Sequence, residues 1–186
     1  MPGAKRRPNS MRYDGYDYTW PGAYFVTYCA YHGRSIFGQI VDHEMRLNPL
    51  GEIADQYWPE LAANHAHVLL DTHVIMPNHG HVLLLFRQDP EVGAASAPVK
   101  REFGKPIARS LSTLVGTYKA EVTRRAERRR LIPSPPIWQG GFWDRIIRDE
   151  RELQTVRDYI RNNPARWLED QLHPDAPPNR FNGSWR

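Results

Sequence analysis

Two histidines that alternate along one short segment are the residues whose types and spacing point most directly to chemistry. His79 and His81 stand in MPNHGHVLLLF (76–86), where an apolar run begins. On a β-strand, residues two positions apart project from the same face, so both imidazoles point the same way with Gly80 between them. Neutral imidazole nitrogen is a common metal ligand. The spacing predicts a shared metal site, although a structural pair of edge histidines would have the same pattern.

A tyrosine and an asparagine one helical turn apart supply further reactive groups. Tyr159 and Asn163 lie in YIRNN (159–163), beside the apolar seam of a predicted helix. A deprotonated tyrosine can attack a metal-bound phosphate, and an asparagine carbonyl can coordinate the ion. On the residues alone, an interface aromatic and a helix-terminal asparagine ahead of proline remain open alternatives.

Other histidines repeat part of this pattern. His65 and His67 in NHAHVLL have the same spacing, but they fall in a predicted connection between a helix and a strand, where exposure is ordinary. His73 falls inside the same predicted strand, and we interpret it as a structural histidine. The sequence therefore favours His79 and His81 as the ligand pair.

The elements that must position these residues follow from hydrophobic periodicity and breakers. Strands are predicted over 23–33, 65–77, 79–86 and 137–148; helices start near Gly51, at Leu111 and at Asp149, and a flexible connection spans 88–110. The order β-α-β-β-α-β plus a final helix predicts an α+β, ferredoxin-like (RRM-related) antiparallel sheet. We divide the chain into a mobile arm (1–20), a catalytic domain (21–168) and a C-terminal tail (169–186).

The last helix has clear start and stop signals. Asp149 can cap its free backbone N–H groups, and Glu152 can reach back as in a capping box. Pro164 disfavours helix at the residue before it, which predicts an end near Asn163. The predicted buried seam is Leu153, Val156 and Ile160.

Composition excludes several classes of protein. The chain has 186 residues, 40% of them hydrophobic, which suits one globular domain. Cys29 is the lone cysteine, and no run approaches the ~20 apolar residues of a membrane span, so we expect a reducing, cytoplasmic setting without a membrane. Lys and Arg number 25 against 21 Asp and Glu, and the basic run RRAERRR (124–130) fits either phosphate binding or a solvated helix end.

Four segments together resemble the REP-associated tyrosine transposases, within the single-tyrosine HUH transposases of insertion sequences. The resemblance runs from about residue 14 to residue 168, and its combination of motifs is specific. The segments are PGAYFVTYCAYHGRSIFG (21–38), MPNHGH (76–81), SLSTLVGTYKAEVTRR (110–125) and IWQGGFWDRIIRDERELQTVRDYIRNNPARW (137–167).

This resemblance implies a metal-dependent endonuclease and strand transferase that cleaves single-stranded DNA next to hairpins through a 5′-phosphotyrosine. His79 and His81 match the HUH histidines, Tyr159 the catalytic tyrosine, and Asn163 a metal ligand. Mg²⁺ or Mn²⁺ is implied by the resemblance, whereas the imidazoles alone would equally suit zinc. Gly80 stands where the family has a bulky hydrophobe, which predicts weaker packing behind the histidines.

Nucleic-acid contacts are expected from cations and aromatic side chains. Unpaired bases would stack on the tyrosines of the arm (13–18) or on exposed aromatics near Phe142 and Trp143. Phosphate contacts are expected at Lys105, Arg109, Lys119, Arg124 and Arg125.

Two rival functions and two assembly states remain open. A non-catalytic nucleic-acid-binding module with the same sheet is one rival. A hydrolase of the histidine-triad kind is the other, and it is disfavoured because position 83 is Leu rather than a third histidine. We expect a monomer, with a homodimer as the alternative.

Overall fold

A four-stranded antiparallel sheet in the order β4-β5-β1-β6 forms the centre of the fold. The computed structural model describes residues 20–87, 109–132 and 136–183. The strands are β1 (Gly22–Cys29), β2 (Gly38–Val41), β3 (Glu44–Leu47), β4 (Val68–Ile75), β5 (His79–Phe86) and β6 (Trp143–Ile147), and the helices are α1 (Pro49–Ala63), α2 (Leu111–Arg128) and α3 (Glu150–Asn162). Leaving aside the separate β2–β3 hairpin, this order confirms the predicted ferredoxin-like α+β fold.

Helices α1 and α2 cover one face of the sheet. Tyr24, Val26 and Tyr28 alternate along β1 toward this face and are fully buried. Trp58 of α1 stacks on Tyr118 of α2, with ring centroids 4.1 Å apart. Burial of these large side chains from both helices makes this layer the principal core.

Helix α3 covers the opposite face of the sheet. Val156 and Ile160 are buried with Leu83 of β5 and Ile147 of β6, and Leu153 packs against this cluster, so the predicted seam is confirmed. The Asp149 carboxylate accepts a hydrogen bond from the Glu152 backbone N–H at 2.8 Å, as predicted for the cap. The Glu152 side chain reaches back one residue further than expected, accepting from the Arg148 N–H at 2.9 Å.

Several predicted boundaries were wrong. The first strand ends at Cys29 rather than at residue 33, because residues 31–33 form a 3₁₀ turn in which His32 has a φ of 53°. Helix α1 begins at Pro49, since Asn48 caps it by accepting from two backbone N–H groups, those of Leu50 and Gly51. Of the predicted strand over 137–148, only Trp143–Ile147 forms a β-strand. Most of the predicted connection, residues 88–108, lies outside the described residues.

The β2–β3 hairpin was not predicted. Its turn residues Asp42 and His43 have φ values of 51° and 65°, the left-handed conformation typical of tight hairpin turns. Asp and His at those positions are weaker hairpin signals than Asn-Gly, which is why the pattern escaped detection.

Within the described ranges 20–87, 109–132 and 136–183, no helix combines the length and apolar character needed to cross a membrane.

Candidate active site

The two histidines lie side by side where β5 begins. His79 pairs with Cys29 and His81 pairs with Thr27 in the β1–β5 ladder, so both side chains face the α3 side of the sheet. His79 is fully buried and His81 is nearly so. Their Nε2 atoms are 3.1 Å apart, which shows that the strand brings the two imidazoles together as the spacing predicted.

Each imidazole is held from behind by a polar side chain at its Nδ1 atom. The Asn78 Oδ1 atom lies 2.8 Å from His79 Nδ1, and the Thr27 hydroxyl lies 2.8 Å from His81 Nδ1. Phe25 also stacks on His81, with ring centroids 5.2 Å apart. These contacts direct both Nε2 atoms toward the same point, as the partners of metal-ligating histidines commonly do.

Asp170 completes a cluster of three potential metal ligands. Its carboxylate and the nitrogens of His79 and His81 offer atoms that all lie within 4.8 Å of one another. Asp170 Oδ2 is 4.0 Å from His79 Nε2, and Oδ1 accepts from the Leu172 backbone N–H at 2.6 Å. The residue sits directly after the 3₁₀ segment Pro164–Glu169, which follows α3. Sequence reasoning missed Asp170 because no motif marks it.

Helix α3 brings Tyr159 and Asn163 to this cluster. The Tyr159 hydroxyl lies 3.3 Å from His81 Nε2 and donates to Asp170 Oδ2, also at 3.3 Å. The Asn163 amide donates to the same Oδ2 at 2.9 Å. Asn163 Oδ1 is buried and has no hydrogen-bond partner among the described residues. The predicted catalytic tyrosine and the three predicted metal ligands therefore lie in one cluster around Asp170.

Burial sets the protonation of the site. Removal from water lowers the pKa of His79 to about 4, partly offset by the Asp170 charge, and lowers the pKa of His81 well below its usual value. The pKa of the Tyr159 hydroxyl is raised, first by desolvation and then by the neighbouring Asp170 carboxylate. Near neutral pH the imidazoles are therefore neutral, and the phenol keeps its proton unless positive charge is placed beside it.

This group of donors fits a divalent metal ion. Adjacent ligands about 2.1 Å from one ion lie roughly 3 Å apart in octahedral geometry, and the two Nε2 atoms are separated by 3.1 Å. The unpartnered Oδ1 of Asn163 is a buried oxygen that an ion would satisfy. Two nitrogens with one or two oxygens suit manganese and zinc, and magnesium less well, so the donor set does not select one metal.

Tyr28 fills the space behind the histidines. A Cβ atom at Gly80 would lie 2.4 Å from the Tyr28 hydroxyl oxygen and 2.5 Å from ring atom Cζ. The expectation of weaker packing was therefore wrong: the bulk that the family pattern places at position 80 is supplied here by β1. The Tyr28 hydroxyl also accepts from Trp58 Nε1 at 2.7 Å and donates to Tyr118 at 3.2 Å.

The predicted phosphate-binding cations make contacts within the protein. The Lys119 ammonium donates to the carbonyl oxygens of Gln139 and Gly141, and burial lowers its pKa to about 8. Arg124 and Arg125 both pair with Glu121, and Arg125 also pairs with an acidic residue of α1. Arg109 is exposed just before α2, and Lys105 lies outside the described residues.

Other candidate residues take structural positions. His65 donates through Nδ1 to the Leu61 carbonyl at 2.8 Å, and the ring of His67 packs edge-on against Phe86. His73 contacts the Asp55 carboxylate at 3.1 Å. Among the described residues, one group of at least three potential metal ligands lies close together, and its members are His79, His81 and Asp170.

The aromatic side chains proposed for base stacking are less open than expected. Phe142 is buried, so its predicted exposure was wrong. Trp143 is partly buried and packs edge-on against Phe181 of the C-terminal segment, with ring centroids 5.2 Å apart. The tyrosines of the arm (13–18) lie outside the described residues.

Comparison with known proteins identifies proteins to which this chain is similar. No family model matches the chain. An uncharacterized protein of Haemophilus influenzae is 32% identical over 170 residues, covering 89% of this chain and 93% of that protein. A second Haemophilus influenzae protein, named "Putative REP-associated tyrosine transposase", is 25% identical over 121 residues, covering 60% of this chain and 62% of that protein, less than two thirds of its length.

A solved structure shares the fold. It is a REP-associated tyrosine transposase bound to a REP hairpin; it is 18% identical with a TM-score of 0.55, and the match covers 84% of this chain and 73% of that one. Fold and site together define a ferredoxin-like α+β protein in which a buried His-His-Asp cluster lies against a helix-borne tyrosine. The chain is thus similar in sequence to one protein named as a REP-associated tyrosine transposase and shares its fold with another.

Proposed function

We propose that this protein is a metal-dependent endonuclease and strand transferase that cleaves single-stranded DNA next to hairpins through a 5′-phosphotyrosine. The observation that carries the proposal is the Tyr159 hydroxyl, 3.3 Å from both His81 Nε2 and Asp170 Oδ2. A nucleophile beside candidate metal ligands is the arrangement that phosphoryl transfer requires. The related protein of similar fold is bound to a REP hairpin, which supports hairpin DNA as the substrate.

We propose that His79 and His81 hold Mg²⁺ or Mn²⁺ through their Nε2 atoms, with Asn163 Oδ1 as the third ligand. When bound, the ion would polarise the scissile phosphate and offset the negative charge that develops there. Asn163 suits this role because its amide nitrogen is directed to Asp170, and its buried oxygen has no hydrogen-bond partner in the described parts of the chain.

Asp170 is then the acceptor of the tyrosine proton. The Tyr159 hydroxyl already donates to Asp170 Oδ2, so proton transfer along this hydrogen bond frees the phenolate oxygen. That oxygen attacks the phosphorus, the bond from phosphorus to the 3′-oxygen breaks, and the proton passes to the departing 3′-oxygen directly or through water. The products are a 5′-phosphotyrosine and a free 3′-hydroxyl. A 3′-hydroxyl of another strand can then attack the phosphotyrosine, which releases Tyr159 and joins the two strands without an external energy source.

Phosphate contacts around the hairpin are proposed for cations on α2 and in the connection that precedes it. Arg109 and Arg124 reach solvent, and Lys105 belongs to the connection that precedes them. Arg125 and Lys119 would contribute mainly by position, since the Lys119 ammonium holds the loop of residues 139–141 that leads into β6. Because such contacts release counterions, binding should weaken as salt rises.

An adduct assay tests the proposal. The protein is incubated with Mn²⁺ and a single-stranded hairpin oligonucleotide labelled 3′ to the cleavage site, and the products are separated on a denaturing protein gel. We expect label to travel with the wild-type protein and with the control Tyr31→Phe, which alters an exposed tyrosine. Label should be lost in Tyr159→Phe and in His79→Ala. Hairpin binding without an adduct would refute the proposal and favour a non-catalytic binding module.

A further inference from the structure

Asn78 occupies a fully buried position between the histidine pair and the C-terminal segment. Its Nδ2 atom donates to the Gly33 carbonyl at 3.2 Å and to the Leu172 carbonyl at 2.7 Å. Its Oδ1 atom lies 2.8 Å from His79 Nδ1. These three contacts use both N–H groups of the amide and one acceptor position of its oxygen.

The surroundings fix which way this amide points. If the amide were rotated by 180°, its oxygen would face two carbonyl oxygens that cannot donate a hydrogen bond, and both contacts would become repulsive. Only the observed orientation satisfies the Gly33 and Leu172 carbonyls. The atom presented to His79 is therefore an acceptor, and the His79 Nδ1 atom must donate to it.

We propose, on the basis of the proposed function, that Asn78 is a positioning residue that fixes His79 in the tautomer with its proton on Nδ1 and a lone pair on Nε2. A neutral imidazole has one protonated nitrogen, and the hydrogen bond at one nitrogen decides the state of the other. Nε2 is the atom that faces His81 and Asp170, so Asn78 presets it to accept a cation rather than to donate a proton.

Thr27, unlike Asn78, does not fix the tautomer of the histidine that it contacts, His81. A hydroxyl both donates and accepts, so the contact of 2.8 Å at His81 Nδ1 is compatible with either tautomer. Because Nε2 of His79 holds a lone pair, the contact of 3.1 Å between the two Nε2 atoms requires His81 to donate from Nε2. One histidine is thus preset by an amide, and its neighbour is adjustable through a hydroxyl.

The same amide also holds the segment that carries Asp170. The Leu172 carbonyl accepts from Asn78, and the Leu172 N–H donates to Asp170 Oδ1 at 2.6 Å. Asn78 thus links the orientation of the His79 ring to the position of the carboxylate. Removing it would disturb both, so the test must separate a tautomer effect from displacement of the segment.

The first test needs no substitution. In protein labelled with ¹⁵N at histidine and treated with chelator, the ¹⁵N shifts of the ring nitrogens show which one carries the proton. We expect His79 to carry it on Nδ1 and His81 on Nε2, at neutral pH. A His79 ring protonated on Nε2 would overturn the proposal, and this result is independent of any nuclease activity.

The second test compares two replacements of Asn78. Asn78→Asp keeps an acceptor toward His79 but loses both donors, whereas Asn78→Ala loses everything. We expect the His79 tautomer to survive in Asn78→Asp and to be lost or mixed in Asn78→Ala, with Mn²⁺ affinity about 10- to 100-fold weaker in the alanine variant. Asn64→Ala, at an exposed asparagine, is the control.

The possible outcomes separate the two proposals. An unchanged His79 tautomer in a folded Asn78→Ala protein would refute the positioning role. If the wild-type protein instead bound neither Mn²⁺ nor Mg²⁺ while His79 kept its proton on Nδ1, the proposed function would fail and the tautomer assignment would stand.

Discussion

Replacing Gly80 by alanine tests the conclusion that Tyr28 supplies the bulk behind the histidines. The added Cβ would lie 2.4, 2.5 and 2.7 Å from three atoms of the Tyr28 side chain, far inside the ordinary contact distance of about 3.5–4.0 Å. The tyrosine is fully buried and contacts the rings of Trp58, Tyr118 and Trp138, so a displaced ring would press against these side chains.

The expected destabilisation follows from these contacts. Overpacking of a filled core costs about 1–3 kcal/mol. Shifting the Tyr28 hydroxyl also strains its hydrogen bonds with Trp58 and Tyr118, each worth about 1 kcal/mol. The lower flexibility of alanine in the unfolded chain returns roughly 0.5–1 kcal/mol. We expect the free energy of unfolding to fall by about 3 kcal/mol, which lowers Tm by roughly 6–12 °C in a protein of this size.

Urea unfolding followed by circular dichroism measures this difference, and Gly116→Ala is a matched control. Gly116 is exposed on α2, and a Cβ there would meet no atom of the described residues within 4 Å. Alanine should raise stability at that position by about 0.5–1 kcal/mol, because it is the better helix former. If Gly80→Ala were as stable as the wild type, the ring of Tyr28 would not be rigidly held and the packing argument would be refuted.

Three further predictions concern a helix cap, the buried histidines and the carboxylate. Asn48→Ala should lower the free energy of unfolding by about 1–2 kcal/mol in the same urea assay, because Asn48 caps α1; a loss below 0.3 kcal/mol would contradict this. Stability should be greatest above pH 6.5 and fall as pH drops toward 4, since the unfolded chain binds protons that buried His79 and His81 exclude; equal stability at pH 7 and pH 5 would refute it. Asp170→Asn should abolish the Tyr159 adduct while changing Mn²⁺ affinity, measured by calorimetry, less than threefold; a large loss of affinity would instead make Asp170 a metal ligand.

The parts of the fold that sequence predicted are those in which local pattern and tertiary packing agree. β5 was predicted with its observed bounds, because its apolar run follows a turn that Pro77 and Asn78 mark. Helix α3 was predicted because Asp149 and Pro164 delimit it and its seam meets the sheet. The ferredoxin-like order then followed from the alternation of strands and helices.

The close packing of Tyr28 against Gly80 is a tertiary contact that could not be predicted from the sequence. The two residues are 52 positions apart in the sequence and become neighbours only through the β1–β5 register, in which they are direct partners. In the sequence alone, Gly80 indicated that a bulky side chain was missing from the motif. In the sheet, the absence of a side chain at Gly80 leaves room for the fully buried Tyr28. A small residue at a motif position that usually holds a bulky one can thus be compensated by a large side chain on the neighbouring strand.

Asp170 was out of reach of sequence reasoning for a related reason. His79 and His81 could be predicted as a pair because a strand places residues two apart on the same face. Tyr159 and Asn163 could be predicted as a pair because a helix places residues four apart on the same side. Asp170 follows an irregular segment whose geometry depends on long-range contacts, above all the hydrogen bond from Asn78 to the Leu172 carbonyl. Its carboxylate accepts a hydrogen bond from the Tyr159 hydroxyl, and in the proposed mechanism it also accepts the proton of that hydroxyl. The residue that we propose to activate Tyr159 is therefore positioned by tertiary contacts rather than by a local sequence pattern.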